Sequence, residues 1–160
     1  MKKIGFNKPY LTGKETLYIT DAVASGKISG NGAYTQKCQL FFEEKYQFKK
    51  CLLTTSCTDA LEMAAMLANI EQGDEVIIPA YTYAATANIV MHVGAKPVMV
   101  DTEVNSFLLD LQQVKKMISP KTKVIMPVDF SGLPVDYHAV MELAKEHQEI
   151  FVANSEAQKR

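Results

Sequence analysis

The stretch TTSCTDALEM, residues 54–63, joins a cluster of small polar side chains to an apolar pattern typical of a helix. The first N–H groups of a helix have no partner inside it, and the helix dipole favours negative charge at that end. The hydroxyls of Ser56 and Thr58 can add donors there, while the small Cys57 lets the backbone approach an anion. This pattern predicts a phosphate-binding turn, although a simple N-cap by Ser56 or Thr58 accounts for the same residues equally well.

Further candidates lie in the stretch AYTYAATAN, residues 80–88, and at two predicted strand ends. Tyr83 could lie flat on a heteroaromatic ring, because offset stacking is favourable by about 0.5–1.5 kcal/mol beyond burial. The alternative is that Tyr83 and its neighbour Tyr81 are both packing residues. Asp101 and Asp129 each end a predicted strand, and each is either a ligand-binding carboxylate or an ordinary turn former.

The composition argues against several classes of function. Lys+Arg number 17 and Asp+Glu 18, so the net charge of −1 does not favour nucleic acid or an anionic membrane as a partner. No apolar run reaches the ~18 residues of a membrane span, and the N-terminus lacks the apolar core of a secretory signal. The three cysteines form no C-x-x-C pair, and the three histidines have no ligands at metal-site spacing. We therefore expect a cytoplasmic protein without a metal site.

The elements that would position these candidates alternate along the chain. Two helices are predicted at 12–27 and 35–48, on either side of the glycine-rich loop ISGNGAY. Strands follow at 51–55, 74–79, 96–101, 122–129 and 149–154, with helices at 58–70, 82–93, 111–118 and 136–147. Short connections in such an alternation imply right-handed crossovers and a mostly parallel sheet with flanking helices, an α/β fold. Ligands bind these sheets at the carboxyl ends of the strands, where the candidates above lie.

Taken together, the order of these motifs resembles the N-terminal half of the DegT/DnrJ/EryC1/StrS sugar aminotransferases. The resemblance rests on SGKISGNGAYTQKCQLFFEEKY, LLTTSCTDALEMAAML, GDEVIIPAYTYAATANIVMHVGAKPVMVD and KTKVIMPVDFSG, which occur in collinear order over nearly the whole chain. It implies a fold-type-I enzyme dependent on pyridoxal 5′-phosphate (PLP). Within the family, SGKISGNG and SCTDALEMAAML most resemble the transaminases that form dTDP-4-amino-4,6-dideoxygalactose.

The resemblance also implies an organisation and a reaction. Residues 1–50 would form a helical arm with the glycine-rich loop, and residues 51–160 the first part of the PLP-binding large domain. The full-length reaction would pass an amino group from glutamate to a dTDP-4-keto-6-deoxy sugar, for lipopolysaccharide, enterobacterial common antigen or another cell-surface polysaccharide. The family usually acts as a homodimer. A 3-keto sugar substrate or a dehydratase-type reaction is a further possibility within the family.

Site residues follow from the resemblance position by position. Ser56, Cys57 and Thr58 would hold the cofactor phosphate, Tyr83 would stack on its ring, and Gln158 would bond the ring oxygen. The loop around Gly30 to Tyr34 would lie near the nucleotide-sugar.

The last residues, FVANSEAQKR, depart from the family pattern. Ser155 stands where the family has the aspartate that pairs with the pyridine nitrogen, and Asp129 stands where a histidine is usual. The lysine that holds the cofactor lies beyond Arg160 in the family, so no catalytic residue is assigned. We therefore expect either a truncated, inactive aminotransferase fragment or a non-catalytic α/β module that binds a phosphorylated ligand or a partner subunit.

Overall fold

The computed structural model describes residue 5 and residues 7–159, and the chain divides into two compact units, residues 1–53 and 54–160. The first unit contains α1 (Glu15–Ala24) and α2 (Ala33–Tyr46). The helix predicted from residue 12 begins at Glu15, and Lys14 occupies its N-cap. The carboxylate of Glu15 reaches back instead and accepts hydrogen bonds from the amides of Thr12, at 2.6 Å, and Gly13, at 2.9 Å.

The second unit has the α/β architecture that the sequence predicts. In chain order it contains α3 (Cys57–Leu67), β1 (Glu75–Pro79), α4 (Ala84–His92), β2 (Lys96–Val100), α5 (Leu111–Met117), β3 (Thr122–Ile125) and α6 (Tyr137–His147). The strands form a three-stranded sheet in the order β2-β1-β3, and both pairings of β1 are parallel. This parallel sheet with flanking helices confirms the predicted fold class.

Two of the predicted strands are wrong. Residues 51–55 contain no strand, and residues 149–154 begin in a 3₁₀ turn, Gln148–Ile150, and continue as irregular chain. Both segments are apolar enough for a buried strand, but a strand exists only where a neighbouring strand pairs with its backbone. In the second segment the amide of Val152 bonds to the carbonyl of Pro120 at 2.8 Å, ahead of β3 and not along it.

The core of the second unit lies on both faces of the sheet, because successive side chains of a strand point to opposite faces. On one face Val76 and Ile78 of β1 pack with Ile89 of α4, and on the other Ile77 packs with Val114 of α5, all five fully buried. Burying one such side chain is worth about 1.5–3 kcal/mol relative to leaving it in water. Packing on both faces therefore fixes the position of β1.

Among residues 5 and 7–159, the structure contains no helix with the length and hydropathy needed to cross a membrane.

Candidate functional site

A cleft of about 440 Å³ opens at the carboxyl ends of β1 and β3. This volume falls in the range of about 300–1,000 Å³ typical of small-molecule sites. Its lining comes from the start of α3, the β1–α4 junction and the chain that follows β3: Cys57, Thr58, Leu61, Thr82, Tyr83, Ala85, Thr86, Met126, Pro127, Val128 and Phe130. The structure thus brings Cys57, Thr58 and Tyr83 together in one concave site.

The first turn of α3 leaves donors free toward this cleft. Ser56 is the N-cap, and its Oγ accepts a hydrogen bond from the amide of Asp59 at 3.0 Å. The Ser56 hydroxyl therefore caps α3, as the N-cap alternative predicted for this residue. The amides of Cys57 and Thr58, and the Thr58 hydroxyl, have no hydrogen-bond partner among residues 5 and 7–159. Two unpartnered amides and a hydroxyl at a helix N-terminus are a donor set suited to a phosphate.

The two tyrosines after β1 have different environments. Tyr83 is the N-cap of α4, lines the cleft and is 82% exposed, so its ring is available to a ligand. Tyr81 packs instead against Phe107 and Phe130, with both centroid distances at 5.0 Å. The packing alternative thus holds for Tyr81, while Tyr83 is placed as a ring-stacking residue would be. Phe130 also lines the cleft. The sequence offered one signal for this residue, its position directly after a predicted strand.

Asp101 and Asp129 act as turn formers. The Asp101 Oδ1 accepts from the amide of Thr102 at 2.9 Å. Asp129 accepts from the amide of Val135 at 2.9 Å and from the hydroxyl of Tyr137 at 3.0 Å. Desolvation, together with the Asp129 carboxylate, raises the pKa of Tyr137. Neither aspartate lines the cleft, and the residues that do line it include no carboxylate.

Ser155 and Gln158 are not brought to the cleft. The Gln158 side-chain amide donates to the carbonyl of Asn69 at 2.8 Å and to Asp74 at 2.6 Å. Asp74 directly precedes β1, so Gln158 lies at the amino end of that strand, whereas the cleft lies at the carboxyl end. The Ser155 hydroxyl accepts a hydrogen bond from the backbone amide of Gln158 at 3.4 Å. The predicted ring contacts assumed that residues 149–154 form a strand ending beside the cleft, and they do not.

Gly30 and Tyr34 belong to the first unit. Tyr34 lines a depression of about 260 Å³ between α1 and the start of α2, and Gly30 is not part of its lining. The Tyr34 hydroxyl donates to Asp21 at 2.8 Å, and this bond to a carboxylate raises the pKa of Tyr34. Lys37 places its Nζ 4.9 Å from the centre of the Tyr34 ring. The contacts of Tyr34 thus connect α1 with α2, and its predicted role toward a nucleotide-sugar stays a prediction.

Residues 9–157 match the model of the DegT/DnrJ/EryC1/StrS aminotransferase family. This chain belongs to that family. The match covers both helices of the first unit and every strand and helix of the second, including the cleft that holds Thr58 and Tyr83. It confirms the family that the motif order predicted.

Two curated relatives carry the same name. The chain is 37% identical over 145 residues to GDP-perosamine synthase of Escherichia coli O157:H7, covering 91% of this chain and 40% of that protein. It is 32% identical over 155 residues to GDP-perosamine synthase of Caulobacter vibrioides, covering 97% and 42%. The finer expectation of a dTDP-4-amino-4,6-dideoxygalactose transaminase is not confirmed, because these relatives are named for a GDP-linked product.

Two solved structures that match this chain share the fold. The PLP form of the putative sugar aminotransferase Spr1654 from Streptococcus pneumoniae matches with a TM-score of 0.90 and 35% identity, over 98% of this chain and 40% of that one. 3-Amino-5-hydroxybenzoic acid synthase matches with a TM-score of 0.82 and 28% identity, over 89% and 37%. PLP is therefore the cofactor of homologous aminotransferases. The chain spans about 40% of the length of the relatives it matches.

Proposed function

We propose that the cleft at the start of α3 binds the phosphate and ring of PLP, as part of a nucleotide-sugar aminotransferase. The observation that carries this proposal is the free donor set of the α3 N-terminus, formed by the amides of Cys57 and Thr58 and the Thr58 hydroxyl, facing the exposed ring of Tyr83 across one cleft. The family match supports the assignment. Residues 1–50 would then be the helical arm, and 51–160 the first part of the cofactor-binding domain.

The residues present fit the phosphate and one ring face of this cofactor. Backbone amides and a hydroxyl at a helix N-terminus bind a dianion through charge-assisted hydrogen bonds, aided by the dipole of α3. Tyr83 offers an aromatic face of the right type for a pyridine ring. When bound, PLP supplies an electron sink that allows an amino group to be transferred. This part of the chain would anchor and orient the cofactor and exclude water from the Phe130 side of the cleft.

The proposed substrate is a nucleotide-linked 4-keto-6-deoxy sugar, with glutamate as the amino donor and a homodimer as the working assembly. The motif resemblance favours dTDP as the nucleotide, and the names of the two curated relatives favour GDP. The products would serve cell-surface polysaccharide synthesis; among the relatives is a spore coat polysaccharide biosynthesis protein of Bacillus subtilis, 34% identical over 138 residues.

A second candidate function is a non-catalytic module that binds a phosphorylated ligand. It is favoured by the lining of the cleft, which contains phosphate donors and an aromatic face but neither a carboxylate for a ring nitrogen nor a lysine. This candidate shares the phosphate site and differs in having no preference for the pyridine ring. Comparing PLP with inorganic phosphate therefore separates the two.

The test is a titration of the full chain with PLP, pyridoxal without its phosphate, and inorganic phosphate, followed by absorbance and calorimetry. Thr58→Val should weaken PLP binding about tenfold to hundredfold, because a hydrogen bond to a charged group contributes about 1.5–3 kcal/mol. Tyr83→Ala should weaken it about threefold to tenfold through lost stacking.

Matched controls are Thr102→Val, a half-buried threonine outside the cleft, and Tyr10→Ala, an exposed tyrosine of the first unit. Both should bind PLP like the parent chain. Equal affinity for PLP and for pyridoxal would contradict a phosphate site at α3. Binding of inorganic phosphate as tight as that of PLP, with no effect of Tyr83→Ala, would replace the cofactor proposal with the binding-module one.

A further inference from the structure

Asp74 is a buried carboxylate at the amino end of β1, opposite to the cleft. It is 0% exposed, although a charged group is costly to bury unless hydrogen bonds replace its water. Its own turn supplies one bond, from the amide of Glu71 at 3.0 Å. The other two donors come from a segment about 80 residues further along: the Asn154 side-chain amide at 2.5 Å and the Gln158 side-chain amide at 2.6 Å.

The segment that supplies these donors, Phe151–Gln158, is here called the strap. Among residues 5 and 7–159 it has no strand pairing and no helix, and one backbone–backbone hydrogen bond, from the amide of Val152 to the carbonyl of Pro120, joins it to the chain just ahead of β3. At its start Phe151 lines a cleft beside α6, with the Nζ of Lys123 4.4 Å from its ring centre. At the other end of the strap, the side chains of Asn154 and Gln158 donate three hydrogen bonds to the rest of the unit. Two of these go to Asp74, and the third goes to the carbonyl of Asn69.

The geometry at Asp74 requires a carboxylate. Oδ1 accepts from Asn154, and Oδ2 accepts from both Gln158 and the Glu71 amide. An asparagine has one acceptor oxygen and would point its own N–H groups at these donors. The backbone beside Asp74 also lies close to the strap. Gly73 has φ +101°, and a Cβ there would lie 3.2 Å from the Asn154 nitrogen.

We propose that Asp74 is a latch for the strap, meaning that the hydrogen bonds of its carboxylate hold the strap in place. The latch holds Phe151–Gln158 at the amino end of the sheet, and breaking its side-chain hydrogen bonds frees the strap as one unit while the sheet stays folded. Because β1 separates Asp74 from the Tyr83 cleft by about 17 Å at 3.3 Å per residue, release leaves the phosphate donors of α3 in place.

Hydrogen–deuterium exchange on the full chain tests this proposal. Asp74→Asn should raise exchange about tenfold or more at the backbone amides of Val152, Asn154 and Gln158, which have hydrogen-bond partners in the parent chain, and leave β1, β2 and β3 within twofold of the parent. The double change Asp74→Asn with Asn154→Asp exchanges donor and acceptor across one bond, and it should restore part of the protection. Asp101→Asn is the matched control, since Asp101 is exposed and its carboxylate accepts from the amide of the adjacent Thr102, and it should leave the exchange of residues 151–158 unchanged.

The pair Asn154→Ala with Gln158→Ala guards against a general loss of folding, because it removes the strap's donors without altering β1. It should free the strap to the same extent as Asp74→Asn. A strap that already exchanges at the unprotected rate in the parent chain overturns the proposal, as does protection that survives this pair. PLP affinity should be equal in the parent and in Asp74→Asn, because Asp74 lies about 17 Å from the Tyr83 cleft, so a failure of the latch and a failure of the cofactor site can be told apart.

Discussion

The two units of the chain contrast in how they use apolar residues. In residues 54–160 both faces of β1 are covered, and its side chains from Val76 to Ile78 are 0% exposed. In the described part of residues 1–53 no residue is buried, and α1 and α2 expose Leu17, Ile19, Phe41 and Phe42. In a parallel sheet, helices cover both faces of the strands. Two short helices alone cannot bury their apolar faces to the same extent. The second unit therefore has the core that a cofactor cleft needs.

The largest effect is expected from truncating the core of the second unit. Ile77→Ala should lower the free energy of unfolding by about 2–5 kcal/mol, because it removes buried methyl groups and leaves a cavity between β1 and α5. Leu17→Ala in α1 is the matched change in the first unit, where the side chain is 65% exposed, and should cost no more than about 0.5 kcal/mol. Urea denaturation of the two variants of the 160-residue chain measures both.

Similar losses for the two variants would contradict the contrast between the units. They would mean that Leu17 is covered in solution, as it would be in a dimer. Repeating the Leu17→Ala measurement over a range of protein concentrations identifies that case, since only an assembly makes stability depend on concentration.

The sequence predicted the helices and the three paired strands of the chain, and it failed at two apolar segments. β1, β2, β3 and the helices between them follow from apolar runs whose partners are close along the chain, and α4 ends just before Gly94, which has φ +83°. Residues 51–55 and 149–154 have the same apolar composition but no pairing strand, and composition does not reveal pairing. Helix α1 was found, yet its capping was not, because Glu15 reaching back to Thr12 depends on the turn at Gly13.

The candidate site was predictable where it depends on strand ends and not where it depends on distant segments. Tyr83 follows from the rule that ligands bind at the carboxyl edge of a parallel sheet, and Thr58 from the unpaired amides at the start of a helix. The distinction between Tyr81 and Tyr83 required the positions of Phe107 and Phe130, which come from other loops. Gln158 was misplaced because its contacts with Asp74 and Asn69 span more than 80 residues of sequence.

A smaller effect should come from the cap of α6. Asp136 is its N-cap, and the carboxylate accepts from the amide of Ala139 at 3.0 Å. Asp136→Ala should cost about 1 kcal/mol in the unfolding of the second unit. Asp136→Ser keeps an acceptor at this position and should recover most of the loss. Thermal melting followed by circular dichroism measures both, and a loss that serine does not recover would show that Asp136 acts through something other than the cap.

The smallest expected effect is a pH dependence centred on Glu75, at the start of β1. Hydrogen bonds from the Ser119 hydroxyl, at 2.7 Å, and then from Lys96, at 3.0 Å, lower the pKa of Glu75 below 4.5. A lowered folded-state pKa gives stability that is present above the unfolded-state pKa and is lost as the pH falls through the folded-state value. The second unit should therefore lose stability as the pH falls below about 4.5.

Ser119→Ala removes the larger cause of this shift, so the difference in urea midpoint between pH 7 and pH 3 should be smaller in the variant than in the parent. Ser25→Ala is the control in the first unit: the Ser25 hydroxyl donates to the carbonyl of Ala22, a group that does not titrate, so the pH dependence should stay that of the parent. An unchanged pH dependence in Ser119→Ala would assign the acid sensitivity to carboxylates other than Glu75. The stabilisation of β1 would then rest on its two apolar faces alone.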